Sequence, residues 1–110
     1  MKIPQRWQRS RKANSKQPPK TLYMGRKGRR TGFNKFANWY SVEEYGRAEA
    51  VRLHMEDLKD IQAKEPDKFN AMLDELEQYD YLSCWCALNE PCHVDNWLYF
   101  IAARQKLETK

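Results

Sequence analysis

The chain has 110 residues, 41% of them hydrophobic and 13% aromatic, with a formal net charge of +5 and a mean hydropathy of −0.98. That length supports one domain with a modest core, read as a single unit over residues 1–110, and leaves no room for a second packed domain. No apolar run approaches the roughly 20 residues of a bilayer-spanning helix and no secretory core opens the chain, so a membrane is excluded as partner and a cytoplasmic location is expected.

The charge is unevenly placed. Residues 1–35 carry twelve Lys or Arg and no acid, whereas residues 36–110 carry eight against all fifteen carboxylates. The first third therefore calls for an anion: nucleic acid, a phosphate-bearing small molecule, or the chain's own acidic helices. Residues 1–20, with Pro4, Pro18 and Pro19, read as a basic, extended and partly flexible opening segment. Against a merely solvated tail, Trp7, Leu22, Tyr23, Phe33 and Phe36 are interleaved with the cations as apolar anchors. Thr21-Leu22-Tyr23-Met24 predicts a short strand closed by Gly25. Gly25, Gly28 and Gly32 then punctuate a loop holding Arg26, Lys27, Arg29 and Arg30. Such a loop can turn backbone amides toward a phosphate, although its spacing matches neither the P-loop nor the dinucleotide fingerprint.

Ser41 and Glu44 form a capping box that predicts a helix start. Tyr45, Ala48, Val51, Met55, Leu58 and Ile61 supply one apolar face over about five turns. His54 lies near that stripe and reads as structural. Pro66 restarts the count, and Phe69, Met72, Leu73, Leu76 and Tyr79 predict a second helical face. Tyr81 to Cys86 predicts a strand with Cys84 and Cys86 on one side and Trp85 on the other. Asn89-Glu90-Pro91 breaks it. Val94, Trp97, Leu98, Ile101 and Ala102 form the core face of a last helix, with Arg104, Lys106 and Lys110 complementing its dipole. The expected fold is α/β of an α+β-like kind, about three short strands packed with three helices.

All three cysteines fall within nine residues, Cys84 to Cys92, followed by His93 and Asp95. An odd count disfavours a disulfide framework and suits a reduced compartment. One reading is a zinc site of Cys84, Cys86, Cys92 and His93, but the spacing lacks the usual C-x₂₋₄-C knuckle, so no metal is favoured and the cofactor is left unassigned. A second reading makes Cys92 a reactive thiol at a helix N-terminus, with His93 or Asp95 as proton carrier. A third buries each cysteine as a small apolar group. Asp95 has its own plain alternative, dipole complementation in the first helical turn.

These residues resemble a family, the domain of unknown function 4326, widespread in bacteria and their phages. Its members look like an Arg-x-Gln-Arg-x-Arg opening, a Tyr-Val-Gly-Arg strand and loop, a Gly-Asn-Pro-Phe element, a helical middle, and a Cys-Trp-Cys…Cys-His-Gly-Asp ending. Here they appear as Arg6-Trp7-Gln8-Arg9-Ser10-Arg11, Tyr23-Met24-Gly25-Arg26, Gly32-Phe33-Asn34-Lys35-Phe36, and Cys84-Trp85-Cys86 with Cys92-His93-Val94-Asp95. Val94 replaces the family glycine and is expected to crowd a pocket mouth; Lys35 stands where proline is usual. The resemblance implies a small α/β-type domain in which the motif regions meet, and no established activity.

It also implies that Arg6, Arg9 and Arg11 belong to the domain and line a groove with Arg26, opposite the Cys and His residues. Guanidinium forks match phosphate and carboxylate geometry. The leading expectation is a small phage or bacterial cytoplasmic domain that binds a phosphate-bearing ligand, a nucleotide or related metabolite, with hydrolysis or group transfer as the chemistry to test. Cys92, His93 and Asp95 are the candidate catalytic residues; Arg6, Arg9, Arg11, Tyr23, Gly25, Arg26 and Asn34 are the candidate ligand contacts. The runner-up is a non-enzymatic nucleic-acid binder that stacks bases on Trp7, Tyr23, Phe33, Phe36, Trp39 and Tyr40. A third is a phage protein that occupies a host factor, in the host cytoplasm.

Overall fold

The computed structural model describes residues 3–9, 18–25, 35–40, 42–84 and 88–108. In chain order its elements are β1 (Gln5–Gln8), β2 (Thr21–Tyr23), α1 (Val42–Tyr45), α2 (Arg47–Lys64), α3 (Pro66–Leu76), β3 (Tyr81–Cys84) and α4 (His93–Glu108). The strands form one sheet in the order β1-β3-β2, with both neighbours parallel to β3. The fold is α/β.

Central position explains the composition of β3. Leu82, Ser83 and Cys84 are buried, as expected where both edges of a strand are paired and a helix covers a face. Carbonyls of β3 and of the residue before it serve both sides: Asp80 O and Cys84 O accept from the amides of Gln5 and Arg9, at 2.9 and 2.8 Å, and Ser83 O accepts from Met24 at 2.8 Å. The opening segment thus supplies the third strand. Gln5-Arg6-Trp7-Gln8 has no apolar alternation to announce it, and none of its residues is fully buried in this edge position.

The first helix departs from expectation. Gly46 has φ 79°, ψ 158°, a conformation that costs glycine little and an L residue much, and it divides the run into α1 and α2. Ser41, the expected cap, lies outside the described residues. The break rotates the buried face of α2 onto Ala50, His54 and Leu58, while Tyr45 and Ala48 are left exposed and Met55 and Ile61 pack at the core's margin. There are therefore four helices among the described residues rather than three.

Helix α3 follows its pattern, with Pro66 at its first turn and Phe69, Leu73 and Leu76 buried. Helix α4 buries Val94, Trp97, Phe100 and Ile101, whereas Ala102, expected inward, is exposed. Trp97 centres the core: its ring meets Phe36 edge-on at 5.4 Å and stacks near Phe69 at 6.0 Å, and its Nε1–H donates to Phe36 O at 3.2 Å. Arg104 ties α4 to α3 through Asp74 and Glu77, both at 2.9 Å. No helix among the described residues is long and apolar enough to cross a membrane.

Candidate functional site

Parallel pairing puts the carboxyl ends of all three strands on one edge: Gln8-Arg9 after β1, Met24-Gly25 after β2, and Cys84 ending β3. Helix α4 begins at the same edge. Its first residue, His93, has Nε2 2.7 Å from the carbonyl oxygen of Met24. A carbonyl can only accept, so Nε2 carries the proton, and in the neutral ring Nδ1 presents a lone pair. That lone pair lies 3.7 Å from Cys92 Sγ, a thiol–imidazole pair made by adjacent residues. Cys92 Sγ in turn lies 3.1 Å from Cys84 Sγ, both thiols being buried and not joined in a disulfide.

Asp95 holds this corner. Its Oδ2 accepts from Arg6 Nη1 at 2.7 Å and from the Cys92 backbone amide at 3.3 Å, capping the first turn of α4. The Arg6 side chain is only 8% exposed against 48% for Asp95. Burial works against the guanidinium's charge, yet the hydrogen bond and charge of Asp95, with smaller contributions from Cys92 and Cys84, raise its pKa above the ordinary value. Arg6 and Asp95 thus brace β1 against α4. Asp95, in the first turn of α4, contacts both Arg6 and the Cys92 amide.

Arg9, Tyr23 and Gly25 are layered beside it. The Arg9 guanidinium carbon sits 4.5 Å from the centroid of the Tyr23 ring, within cation–π range. A Cβ at Gly25 would run into the hydroxyl and ring of Tyr23. The absent side chain is what lets the phenol lie where Arg9 can cover it. Arg11, Arg26, Asn34 and Cys86 lie outside the described residues, so the zinc set is seen only as Cys84, Cys92 and His93. Among the described residues no group of three or more His, Cys, Asp or Glu side chains is suited to hold a metal ion.

Two residues take on more than their sequence positions announced. His54 is fully buried, and its ring lies 5.5 Å edge-on from that of His93. Asn96 donates through Nδ2 to both His54 Nδ1, at 3.1 Å, and Val51 O, at 3.0 Å. His54 is therefore the neutral Nε2–H tautomer, and Nε2 has no hydrogen-bond partner among the described residues. Burial first and His93 second push its pKa to about 3, against the opposing charge of Asp57. The available signal was its spacing: His54 lies four residues from both Ala50 and Leu58, on the buried stripe itself.

The aromatic residues divide. Phe36 is in the core at 3% exposed and unavailable for base stacking, whereas Trp39 is 43% exposed. Trp39 Nε1 and the Tyr40 hydroxyl both donate to Asp57 Oδ2, at 2.8 and 2.7 Å. A cavity of about 410 Å³ opens beside Trp39, Leu58, Ile61, Met72 and Trp97, and Lys35 and Glu75, paired at 3.0 Å, also line it. It shares no lining residue with the carboxyl edge.

The family described as Domain of unknown function (DUF4326) matches residues 7–103. The chain belongs to the DUF4326 family. Neither the curated proteins nor the solved structures compared with it gave a match. The DUF4326 match begins one residue after Arg6 and ends within α4, so it contains all three strands in whole or in part. The family-like elements at Tyr23-Met24-Gly25 and Cys92-His93-Val94-Asp95 meet through the His93–Met24 hydrogen bond. Val94, expected at a pocket mouth, is fully buried and belongs to the core cluster that contains Leu82 and Trp97. Lys35, in the place of the usual proline, is the residue paired with Glu75.

Proposed function

We propose that this chain binds a phosphate-bearing small molecule, a nucleotide or a related metabolite, at the carboxyl edge of its parallel sheet. The observation that supports this most directly is the convergence of three strand ends and the start of α4 on that one edge. In parallel α/β layers this edge collects ligands, because strand-end and helix-start amides face it and the helix dipole favours negative charge there. The segments that leave it in sequence add to the case. Residues 10–17 and 26–34 carry Arg11, Lys12, Lys16, Arg26, Lys27, Arg29 and Arg30, and no acid.

The residues at the edge have separate tasks in this reading. Arg9, spread on Tyr23, presents the guanidinium for a phosphate, while Arg6, held by Asp95, keeps β1 and α4 in place. His93, with Nδ1 as acceptor beside the Cys92 thiol, is the proton carrier for any hydrolysis or group transfer. The nucleic-acid reading draws on the same cations but has lost Phe36 to the core.

Titration calorimetry against inorganic phosphate and a panel of nucleotides tests the reading. Saturable binding is expected, weakened about tenfold by Arg9→Ala, since a lost charge-assisted hydrogen bond costs on the order of 1.5 kcal/mol. Lys59→Ala, on the exposed side of α2, should leave it unchanged. No binding across the panel, or equal affinity in Arg9→Ala, removes the support. Binding confined to oligonucleotides, and steeply salt-dependent, transfers it to the runner-up.

A further inference from the structure

The two buried sulfurs have a relationship that phosphate binding does not use. Cys84 Sγ and Cys92 Sγ are 3.1 Å apart, in direct contact, and either thiol can donate to the other. A disulfide bond, at about 2.05 Å, would require only about 1 Å of further approach. The spacing is set by backbone: Cys84 ends the central strand, and Cys92 directly precedes α4. Cys92 stands at the start of a helix, within the influence of the Arg6 charge that acts on both sulfurs, and 3.7 Å from His93 Nδ1, an acceptor for its proton.

We propose that Cys84 and Cys92 are a redox-active dithiol that a hydroperoxide oxidises to a disulfide. The Cys92 thiol gives its proton to His93 Nδ1. Its thiolate attacks the near oxygen of the peroxide, the O–O bond breaks, and the departing oxygen takes that proton and leaves as water. Cys92 is then a sulfenic acid. The Cys84 sulfur attacks the Cys92 sulfur, the S–O bond breaks, and the Cys84 proton leaves with that oxygen as a second water. Two thiols lose two electrons, and one hydrogen peroxide is reduced to two waters. Burial selects the oxidant: with Cys84 2% and Cys92 1% exposed, hydrogen peroxide is small enough to enter, whereas a bulky disulfide is hindered.

The experiment uses the reduced, full-length protein with a small molar excess of hydrogen peroxide, followed by thiol counting and alkylation. Chymotryptic cleavage after Trp85 and Leu88 puts each of the three cysteines on its own peptide. Loss of two of the three thiols is expected, with the Cys84 peptide linked to the Cys92 peptide and dithiothreitol restoring both. Oxidised glutathione should react at least about tenfold more slowly than peroxide. In Cys84→Ser, a sulfenic acid at Cys92 should persist and be captured by a dimedone trap. Retention of both thiols, linkage through Cys86, or oxidation of the wild type that stops at the sulfenic acid would overturn the assignment. Should Cys84→Ser not fold, the wild-type peptide map decides alone.

Discussion

His93 Nε2 and the carbonyl oxygen of Met24 meet at 2.7 Å across 69 residues of sequence. The contact joins the first residue of α4 to the residue that follows β2, and both are buried. It therefore fixes the imidazole's tautomer and the seating of the helix on the sheet together. His93→Phe fills the volume but leaves the Met24 oxygen buried without this donor, at a cost of about 1–3 kcal/mol. Urea unfolding measures it, and an unchanged midpoint would contradict the anchoring role.

Asp95→Ala removes both the cap of α4 and the acceptor of Arg6 Nη1. The hydrogen bond to the Cys92 amide accounts for about 1 kcal/mol. The loss at Arg6 is of similar size, discounted because Asp95 is half exposed. A total of about 2 kcal/mol is expected by urea denaturation, with Asp95→Asn in between. In a double-mutant cycle with Arg6→Met, the two effects should be non-additive.

Gly25→Ala should push the Tyr23 ring away from Arg9, since the added methyl meets the phenol directly. Overpacking of this kind costs roughly 1–3 kcal/mol. The same substitution placed in Tyr23→Ala should be much milder, because the obstructed group is gone. Equal costs in the two backgrounds would show that the obstruction lies elsewhere.

His54 makes stability depend on pH. Its folded pKa is about 3, below the ~6.5 of an unfolded histidine. The unfolded chain therefore binds a proton that the folded protein refuses. The contribution is complete above about pH 6.5 and declines as the pH falls toward 3, by about 1.4 kcal/mol per unit. Between about pH 6.5 and pH 5 the wild type should lose on the order of 2 kcal/mol through this group. His54→Leu, compared by urea midpoints at the same pH values, should lack that part of the decline. Parallel pH profiles would sink the assignment.

Trp97→Ala should be the most damaging single change in the core, since the ring is fully buried against Phe36 and Phe69. About 3–5 kcal/mol is expected, measured by thermal or urea unfolding. A loss under about 1 kcal/mol would mean that the neighbouring rings collapse into the space.

Much of the chain declared itself locally. The stripe of α3, the strands at Thr21–Tyr23 and Tyr81–Cys84, and the core residues Val94, Trp97 and Ile101 follow from periodicity, because a side chain's face is set by 3.6 or 2 residues per repeat. The strand at Gln5–Gln8 did not declare itself: its extended state is fixed by hydrogen bonds to Asp80 and Cys84, far along the chain. Nor did the helix break, which depends on the positive φ that Gly46 adopts.

At the candidate site, spacing alone brought Cys92, His93 and Asp95 to a helix start. What each of them contacts was decided by partners from other elements. Arg6 from β1 occupies Asp95, the Met24 carbonyl sets the His93 tautomer, and β3 delivers Cys84 to Cys92. The sequence by itself determined the α/β class, the charge division and the clustering of sulfur with imidazole, because these are properties of neighbours along a chain. Only the tertiary structure decided the edge on which they gather, since parallel strands take their direction and order from hydrogen bonds between segments that local pattern cannot pair.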